Sequence, residues 1–355
     1  MIPPNATGKA PRVLFLADGG PQIGGGHAMR CLTLAGALAA QGASCAFVGH
    51  PGVASILDVF RLDLVDVLSA TGDDPAAMVA RSLTLAEQWN AHILVVDSYR
   101  LAETARFRAA GGVRQIVVIE DLADRPHDCD LLIDPTFARA ADAYRGLVPP
   151  ACRVLIGPEY ALVRPAFAGM RGAALARRTV AGTAGRVLVA LGLTDVGGIT
   201  GRVVQALAPV AHGLQMDVVV GRTAPSLAVL ADLAAENPGL HLHVDAHDMA
   251  ELTATADIGV GAGGSSVWER ACLGLPSVSL ILTDNQGPMA MAMDKAGALI
   301  AIDARRGDMA DTVASAGSRL IQDGALRTRL AATSSSLCDG AGAGRVASAI
   351  LAGVV

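Results

Sequence analysis

The sequence predicts an α/β protein built from two doubly wound, Rossmann-like domains facing a central cleft. Three observations carry this. Short apolar, β-branched runs alternate with longer Ala/Leu-rich segments of helical spacing, the order of a parallel sheet covered by helices on both faces. The rhythm breaks over a Pro- and Arg-rich stretch and then restarts. The 355 residues suit two domains at roughly 100–200 residues each.

The elements follow in order. Arg12–Ala17 reads as the first strand, and a helix from about His27 to Gln41 carries Met29, Leu32, Leu34, Ala35 and Leu38 at helical spacing. Strands at Ser44–Val48 and Asp63–Leu68 flank a helix over Val53–Phe60. Helix Pro75–Asn90, strand His92–Val96, helix Leu101–Ala110 and strands Gln115–Ile119 and Asp130–Ile133 complete the first half. Pro135 to Gly185 reads as the zone between domains. The expected division is 1–163 and 164–355, with a linker at about 164–185. The second half offers strands at Arg186–Leu191, Gln215–Val220, Leu240–Val244, Ile258–Gly261, Ser277–Leu280 and Leu299–Ile302. Helices Asp308–Gln322, Ala325–Leu337 and Gly344–Ala352 close it. In open α/β sheets ligands sit outside the carboxyl ends of strands, so the segments after strands are the places to look for chemistry.

Composition removes several classes of function. With 52% hydrophobic and 17% charged residues, the chain has enough apolar surface for a core and is not expected to be disordered. The net charge is −5 without a basic run, so no nucleic-acid partner is expected. No apolar run approaches 18 residues and no signal segment is visible, so neither a membrane nor a secretory route is expected. Cys31, Cys45, Cys129, Cys152, Cys272 and Cys338 form no C-x-x-C pair. They read as small buried hydrophobes in a reducing, cytoplasmic setting. His127, His212, His241, His243 and His247 show no metal-ligand spacing, so no metal is expected.

Two loops stand out. After the first strand comes Ala17-Asp-Gly-Gly-Pro-Gln-Ile-Gly-Gly-Gly-His-Ala-Met-Arg. Its glycines let backbone N–H groups approach a ligand closely. Met29 stands where a dinucleotide fingerprint needs glycine, and the loop has no P-loop lysine. His27 opens the helix, where the dipole disfavours imidazolium. A neutral imidazole there can accept a proton; a helix-capping histidine is the equal alternative. Arg30 suits a carboxylate or phosphate contact, or a structural salt bridge. The second loop is Gly261-Ala-Gly-Gly-Ser-Ser-Val-Trp-Glu-Arg, whose glycines and Ser265 and Ser266 suit a diphosphate. Glu269 can reach two ribose hydroxyls or simply complement the helix dipole. Leu191–Asp195 and Thr283–Pro288 also follow strands. There Asn285 and Gln286 offer amide contacts, or ordinary turn and cap chemistry. Val244–Met249 can seat a base by backbone contacts.

Together these residues resemble the UDP-sugar hydrolases of pseudaminic acid biosynthesis. Ile23-Gly-Gly-Gly-His-Ala-Met-Arg-Cys-Leu-Thr-Leu-Ala looks like their N-terminal signature. Asp97-Ser-Tyr99, Asp121, Cys129–Asp134, Tyr144–Pro149, Gly157–Phe167, Ser265–Pro276 and Asp284-Asn-Gln286 follow in the family's order. The resemblance implies a GT-B-like fold, similar to UDP-sugar glycosyltransferases of peptidoglycan synthesis. It implies metal-independent, inverting hydrolysis of UDP-2,4-diacetamido-2,4,6-trideoxy-β-L-altropyranose to UDP and free sugar, without cofactor or obligate protein partner. His27, Tyr99 and Asn285 match the family's catalytic positions. The substrate contacts expected are Asp18, Gly25, Gly26, Arg30 and Asp97 in the first domain. In the second they are Thr194, Asp195, Met249, Gly264, Ser265, Ser266, Glu269 and Gln286. The chain departs from the family's usual pattern at Leu16, Gly19, Gly20 and Leu193. The alternatives are a UDP-sugar glycosyltransferase of the same fold and a UDP-sugar-binding protein without turnover.

Overall fold

A computed structural model of the chain describes residues 10–20, 23–69, 74–101, 104–179 and 182–353. The N-terminal nine residues, where no signal segment was expected, lie outside the described residues. So do Pro21 and Gln22 of the first glycine loop, 102–103 of the fourth expected helix and 180–181 of the expected linker. The chain divides into two compact units: Met1–Leu162 with Ala341–Val355, and Val163–Gly340.

Unit 1 begins β1 (Arg12–Ala17), α1 (Gly26–Ala40), β2 (Ser44–Gly49), α2 (Pro51–Phe60), β3 (Val65–Ser69) and α3 (Pro75–Gln88). It continues β4 (Ile93–Asp97), α4 (Thr104–Ala110), β5 (Gln115–Ile119), β6 (Leu131–Asp134) and β7 (Arg153–Ile156). The strands form one parallel sheet in the order β3-β2-β1-β4-β5-β6-β7. Both faces are buried, which is why the strands read as continuous apolar runs. Val13, Phe15 and Ala17 of β1 pack on one side with α1 and α2, and Phe15 stacks on Phe47 at 4.9 Å. Leu14 and Leu16 pack on the other side with Met78 and Phe107. Leu16, a departure from the family pattern, is thus a core residue.

Unit 2 comprises α5 (Pro165–Arg178), β8 (Arg186–Ala190), α6 (Ile199–Leu207), β9 (Gln215–Val220), α7 (Leu227–Glu236), β10 (Leu240–Val244) and α8 (Met249–Thr255). It continues β11 (Ile258–Ala262), α9 (Ser266–Cys272), β12 (Ser277–Ile281), α10 (Gly287–Lys295), β13 (Ile300–Asp303), α11 (Met309–Gln322) and α12 (Gly324–Leu337). Its parallel sheet runs β10-β9-β8-β11-β12-β13. The closing helix α13 (Gly342–Ala352) returns to unit 1, where Val346, Ala347, Ile350 and Leu351 join the apolar layer beside α1.

Two expectations need correction. Within the zone expected between the domains, β7 extends the first sheet, and α5 belongs to unit 2. Arg178 on α5 donates to the carbonyls of Thr253, Ala254 and Ala256, satisfying the end of α8. The final helix belongs to the first unit rather than the second. No described helix is long and apolar enough to cross a membrane.

In each sheet the strand order reverses direction between two central strands, β1 and β4 in unit 1, β8 and β11 in unit 2. The loops leaving those strands flank the crevice where such sheets take ligands. Both glycine loops occupy this position.

Candidate active site

The carboxyl ends of β1, β4 and β5 deliver four acidic residues to one place. Asp97 ends β4 opposite Ala17. Asp18 follows β1, and its N–H donates to the Asp97 carbonyl at 2.8 Å. Glu120 and Asp121 follow β5. Helix α1 supplies the opposing groups, His27 in its first turn and Arg30 one residue short of a full turn later.

His27 Nδ1 lies 2.6 Å from Asp97 Oδ1. A carboxylate can only accept, so Nδ1 carries the proton and Nε2 is the basic nitrogen of the ring. Arg30 grips the same carboxylate in a bidentate fork, Nε to Oδ2 and Nη2 to Oδ1, each at 2.6 Å. Its Nη1 donates to Asp121 Oδ2 at 2.9 Å. The Tyr99 hydroxyl donates to Asp121 Oδ1 at 2.6 Å. The Tyr99 and His27 rings meet edge to face at 4.5 Å. The five side chains therefore form a closed circuit, with Asp97 and Arg30 buried.

Burial alone would raise the Asp97 carboxyl, but Arg30 and then His27 outweigh it and hold it well below the usual range. It stays ionised and keeps His27 in one tautomer. Burial and then the Asp121 carboxylate push the Tyr99 phenol well above its ordinary value, so Tyr99 stays protonated. Cys31 donates to Asp97 Oδ2 at 3.5 Å. Burial and Asp97 keep its thiol protonated, so it is a packing residue.

Other residues expected to contact substrate also hold the framework. Asp18 is fully buried and accepts from the Tyr99 N–H at 2.9 Å and from Arg100 Nε at 3.1 Å. It fixes the turn that presents Tyr99. Gly25 caps α1 and Gly26 is its first residue. Gly19 has a packing reason: a Cβ there would stand 2.7 Å from the Gly52 carbonyl oxygen. That close approach of α2 accounts for the glycine at this position.

In unit 2, Asp195 is fully buried in a left-handed conformation (φ 44°), accepting from the N–H groups of Thr200 and Ser226. It organises the loop after β8 rather than offering oxygens outward. Thr194 beside it is half-buried, and the Leu193 carbonyl accepts from the Gly221 N–H. Gly264, Ser265 and Ser266 are half-buried at the start of α9. Ser266 Oγ accepts from Arg270 Nη1 at 3.0 Å. Glu269 Oε1 accepts from Arg164 Nε at 2.7 Å. Met249 opens α8 half-buried. Asn285 Oδ1 accepts from Thr283 Oγ1, and Gln286 Oε1 from the Leu282 N–H, the turn and cap chemistry left open above.

The sequence reading missed three residues. Arg164 lies in the quoted Gly157–Phe167 motif and Arg270 directly follows Glu269, so both were in view without a role. Asp121 was matched to the family but given no task. Among the described residues no three His, Cys, Asp or Glu side chains cluster so as to hold a metal ion.

No family model matches the chain. Over 159 residues, 44% of the chain, it is 29% identical to the UDP-2,4-diacetamido-2,4,6-trideoxy-β-L-altropyranose hydrolase of Campylobacter jejuni subsp. jejuni. Over 198 residues, 55% of the chain, it is 29% identical to the spore coat polysaccharide biosynthesis protein SpsG of Bacillus subtilis. These alignments cover 53% and 57% of the relatives, so the chain spans little more than half the length of either. Its fold is similar to that of spinosyn rhamnosyltransferase SpnG, solved with thymidine diphosphate. The TM-score is 0.64 at 18% identity, over 94% of this chain and 96% of that one. With two parallel α/β units and these likenesses, the chain has a GT-B-like fold and is similar in sequence, over part of its length, to the Campylobacter hydrolase.

Proposed function

We propose that the chain hydrolyses a UDP-sugar at its anomeric carbon, with His27 as general base. The substrate we assign is UDP-2,4-diacetamido-2,4,6-trideoxy-β-L-altropyranose, the compound named for the Campylobacter relative. The observation that carries the reading is the buried His27–Asp97 pair, which leaves Nε2 as the proton acceptor. His27 Nε2 takes a proton from water as the water oxygen attacks the anomeric carbon opposite UDP. The bond from that carbon to the β-phosphate oxygen breaks, its electron pair leaves with UDP, and the free sugar carries inverted configuration. Unit 2 binds the nucleotide, with Glu269 at the ribose and the Gly263–Ser266 loop at the diphosphate. The thymidine diphosphate complex of a protein of the same fold supports this assignment.

General-base assistance is typically worth about 10²–10⁴-fold. His27→Asn is expected to lose at least that in turnover and to keep its melting temperature. Time-resolved NMR of the UDP-sugar without any acceptor reads both the rate and the first anomer formed. Near-normal turnover in the variant, or release of the retained anomer, would overturn the reading. A second reading, glycosyl transfer, is favoured by the likeness to a rhamnosyltransferase. UDP release that depends on an added acceptor would select it.

A further inference from the structure

We infer that Asp121 is a positioning residue whose charge, carried through Arg30, makes proton capture by His27 favourable. The inference rests on the proposed role of His27 as base. Arg30 and Asp97 by themselves form a neutral pair. The Arg30 guanidinium lies as near the imidazole as a hydrogen-bond partner would, with Nη2 3.2 Å from His27 Nδ1. The first turn of α1 adds further positive potential. A neutral pair beside a helix N-terminus gives an imidazole little reason to accept a proton.

Asp121 changes the count. One cation and two carboxylates sum to −1 while His27 is neutral, and to zero once it is imidazolium. In a buried cluster net charge is costly, so the protonated state becomes the balanced one. Asp121 is also the ring's more exposed carboxylate, at 23% of its side chain.

The surrounding charges cancel among themselves, so the surplus stays with Asp121. Beyond β1 and β4, Asp18 pairs with Arg100 at 3.1 Å. Beyond β5, Glu120 pairs with Arg125 at 3.2 Å and with His127 at 2.6 Å. Arg139 pairs with Asp134 at 2.6 Å and reaches Asp121 only at its backbone oxygen. On α1 itself, Cys31 stays a neutral thiol. Tyr99, also neutral, holds Asp121 Oδ1 and rests its ring against His27. Among the described residues, no other ion pair reaches the Asp121 side chain.

The test is an NMR pH titration of the His27 imidazole, assigned by the signal lost in His27→Asn, paired with the pH profile of kcat/KM. Asp121→Asn keeps the shape and removes the charge. Its imidazole midpoint should fall about one pH unit, the scale of a single charge several ångströms away in a partly shielded site. The acid limb of kcat/KM should move with it, and the plateau should drop. Asp121→Ser, of different shape, should shift the midpoint the same way, and Asp121→Glu should restore it. An unmoved midpoint in both charge-removing variants, with turnover lost, would make Asp121 merely structural and overturn the inference. Shifted midpoints together with normal turnover in His27→Asn would instead overturn the reading of His27 as base and leave the charge coupling standing.

Discussion

Each unit places a buried arginine as the fifth residue of the helix that follows its glycine loop, Arg30 on α1 and Arg270 on α9. Both are nearly inaccessible, at 8% and 6% exposure. Their surroundings are opposite. Arg30 meets two carboxylates, Asp97 and Asp121. Among the described residues, Arg270 donates to neutral acceptors: Ser266 Oγ at 3.0 Å, the Ala262 carbonyl at 2.8 Å and Ser279 Oγ at 3.2 Å. Gly261 makes room for it, since a Cβ there would collide with the guanidinium. For Arg30 burial is outweighed by Asp97 and Asp121, which hold it well above its ordinary value. For Arg270 burial dominates, with only Glu269 opposing, and lowers it to about 10. One loop-and-helix arrangement thus yields two devices. In unit 1 the cation is neutralised from within and orders a proton-handling cluster. In unit 2, among the described residues, no carboxylate forms an ion pair with the cation, and Glu269 acts on it only from a distance.

The sharpest way to break this comparison is to remove each cation. Arg30→Met leaves the buried Asp97 and the half-buried Asp121 without their cation, and breaking a buried pair typically costs about 3–5 kcal/mol. Arg270→Met breaks no ion pair seen among the described residues, and its loss of hydrogen bonds should cost only about 1–2 kcal/mol. Thermal melting of the two variants side by side gives the answer. Equal losses would mean that the two arginines serve the same structural purpose.

The comparison also marks how far the sequence could be read. Strands such as Arg12–Ala17 and Gln115–Ile119 were legible to the residue, because a strand buried on both faces is a bare apolar run between polar breaks. The four-residue β7 was not, since its short run lies among Pro and Gly residues that read as loop. Nor was the place of α13, because the packing of Val346 and Ile350 beside α1 spans some three hundred residues of chain and leaves no local signal. His27 and Tyr99 were legible through motif likeness. Their wiring was not: Asp97 stands 70 residues from His27 and Asp121 stands 91 from Arg30. Only the sheet order brings those ends together. The family resemblance implied substrate contacts for Asp18, Asp97 and Asp195. Their burial shows the other use of an acid at a strand end, to hold neighbouring backbone and side chains.

A second contrast concerns acid. In unit 1, Glu120 accepts from His127 and from the N–H groups of Asp121 and Leu122, fixing the turn that carries Asp121. Burial opposes ionisation, but the His127 hydrogen bond and the backbone donors lower its carboxyl from 4.5 to about 2. A lowered carboxylate stabilises the fold above its unfolded value and loses that contribution as pH falls through its folded value. The contribution is about 3 kcal/mol at neutral pH. It should therefore be complete above about pH 4.5 and fade toward about pH 2. Urea unfolding of wild type and Glu120→Gln across this range checks it. Their stability gap should narrow with acid, and a gap that stays constant would mean Glu120 acts by shape alone.

The smallest expected effect bears on the charge left standing in unit 2. If Arg270 lends its positive potential to the Gly263–Ser266 loop, its removal should weaken an anion and spare a neutral ligand. The Arg270 N–H that reaches Ser266 Oγ occupies that oxygen as an acceptor, which leaves the serine hydroxyl to act as a donor. Arg270→Met should then lose about tenfold in UDP affinity, or about 1.4 kcal/mol, with uridine binding unchanged. Arg270→Lys should retain part of the difference. Calorimetric titration with UDP and uridine separates charge from packing, because a misfolded loop would weaken both ligands alike. Equal loss for both would leave Arg270 as a strut, and the two arginines would differ only in their partners and not in their use.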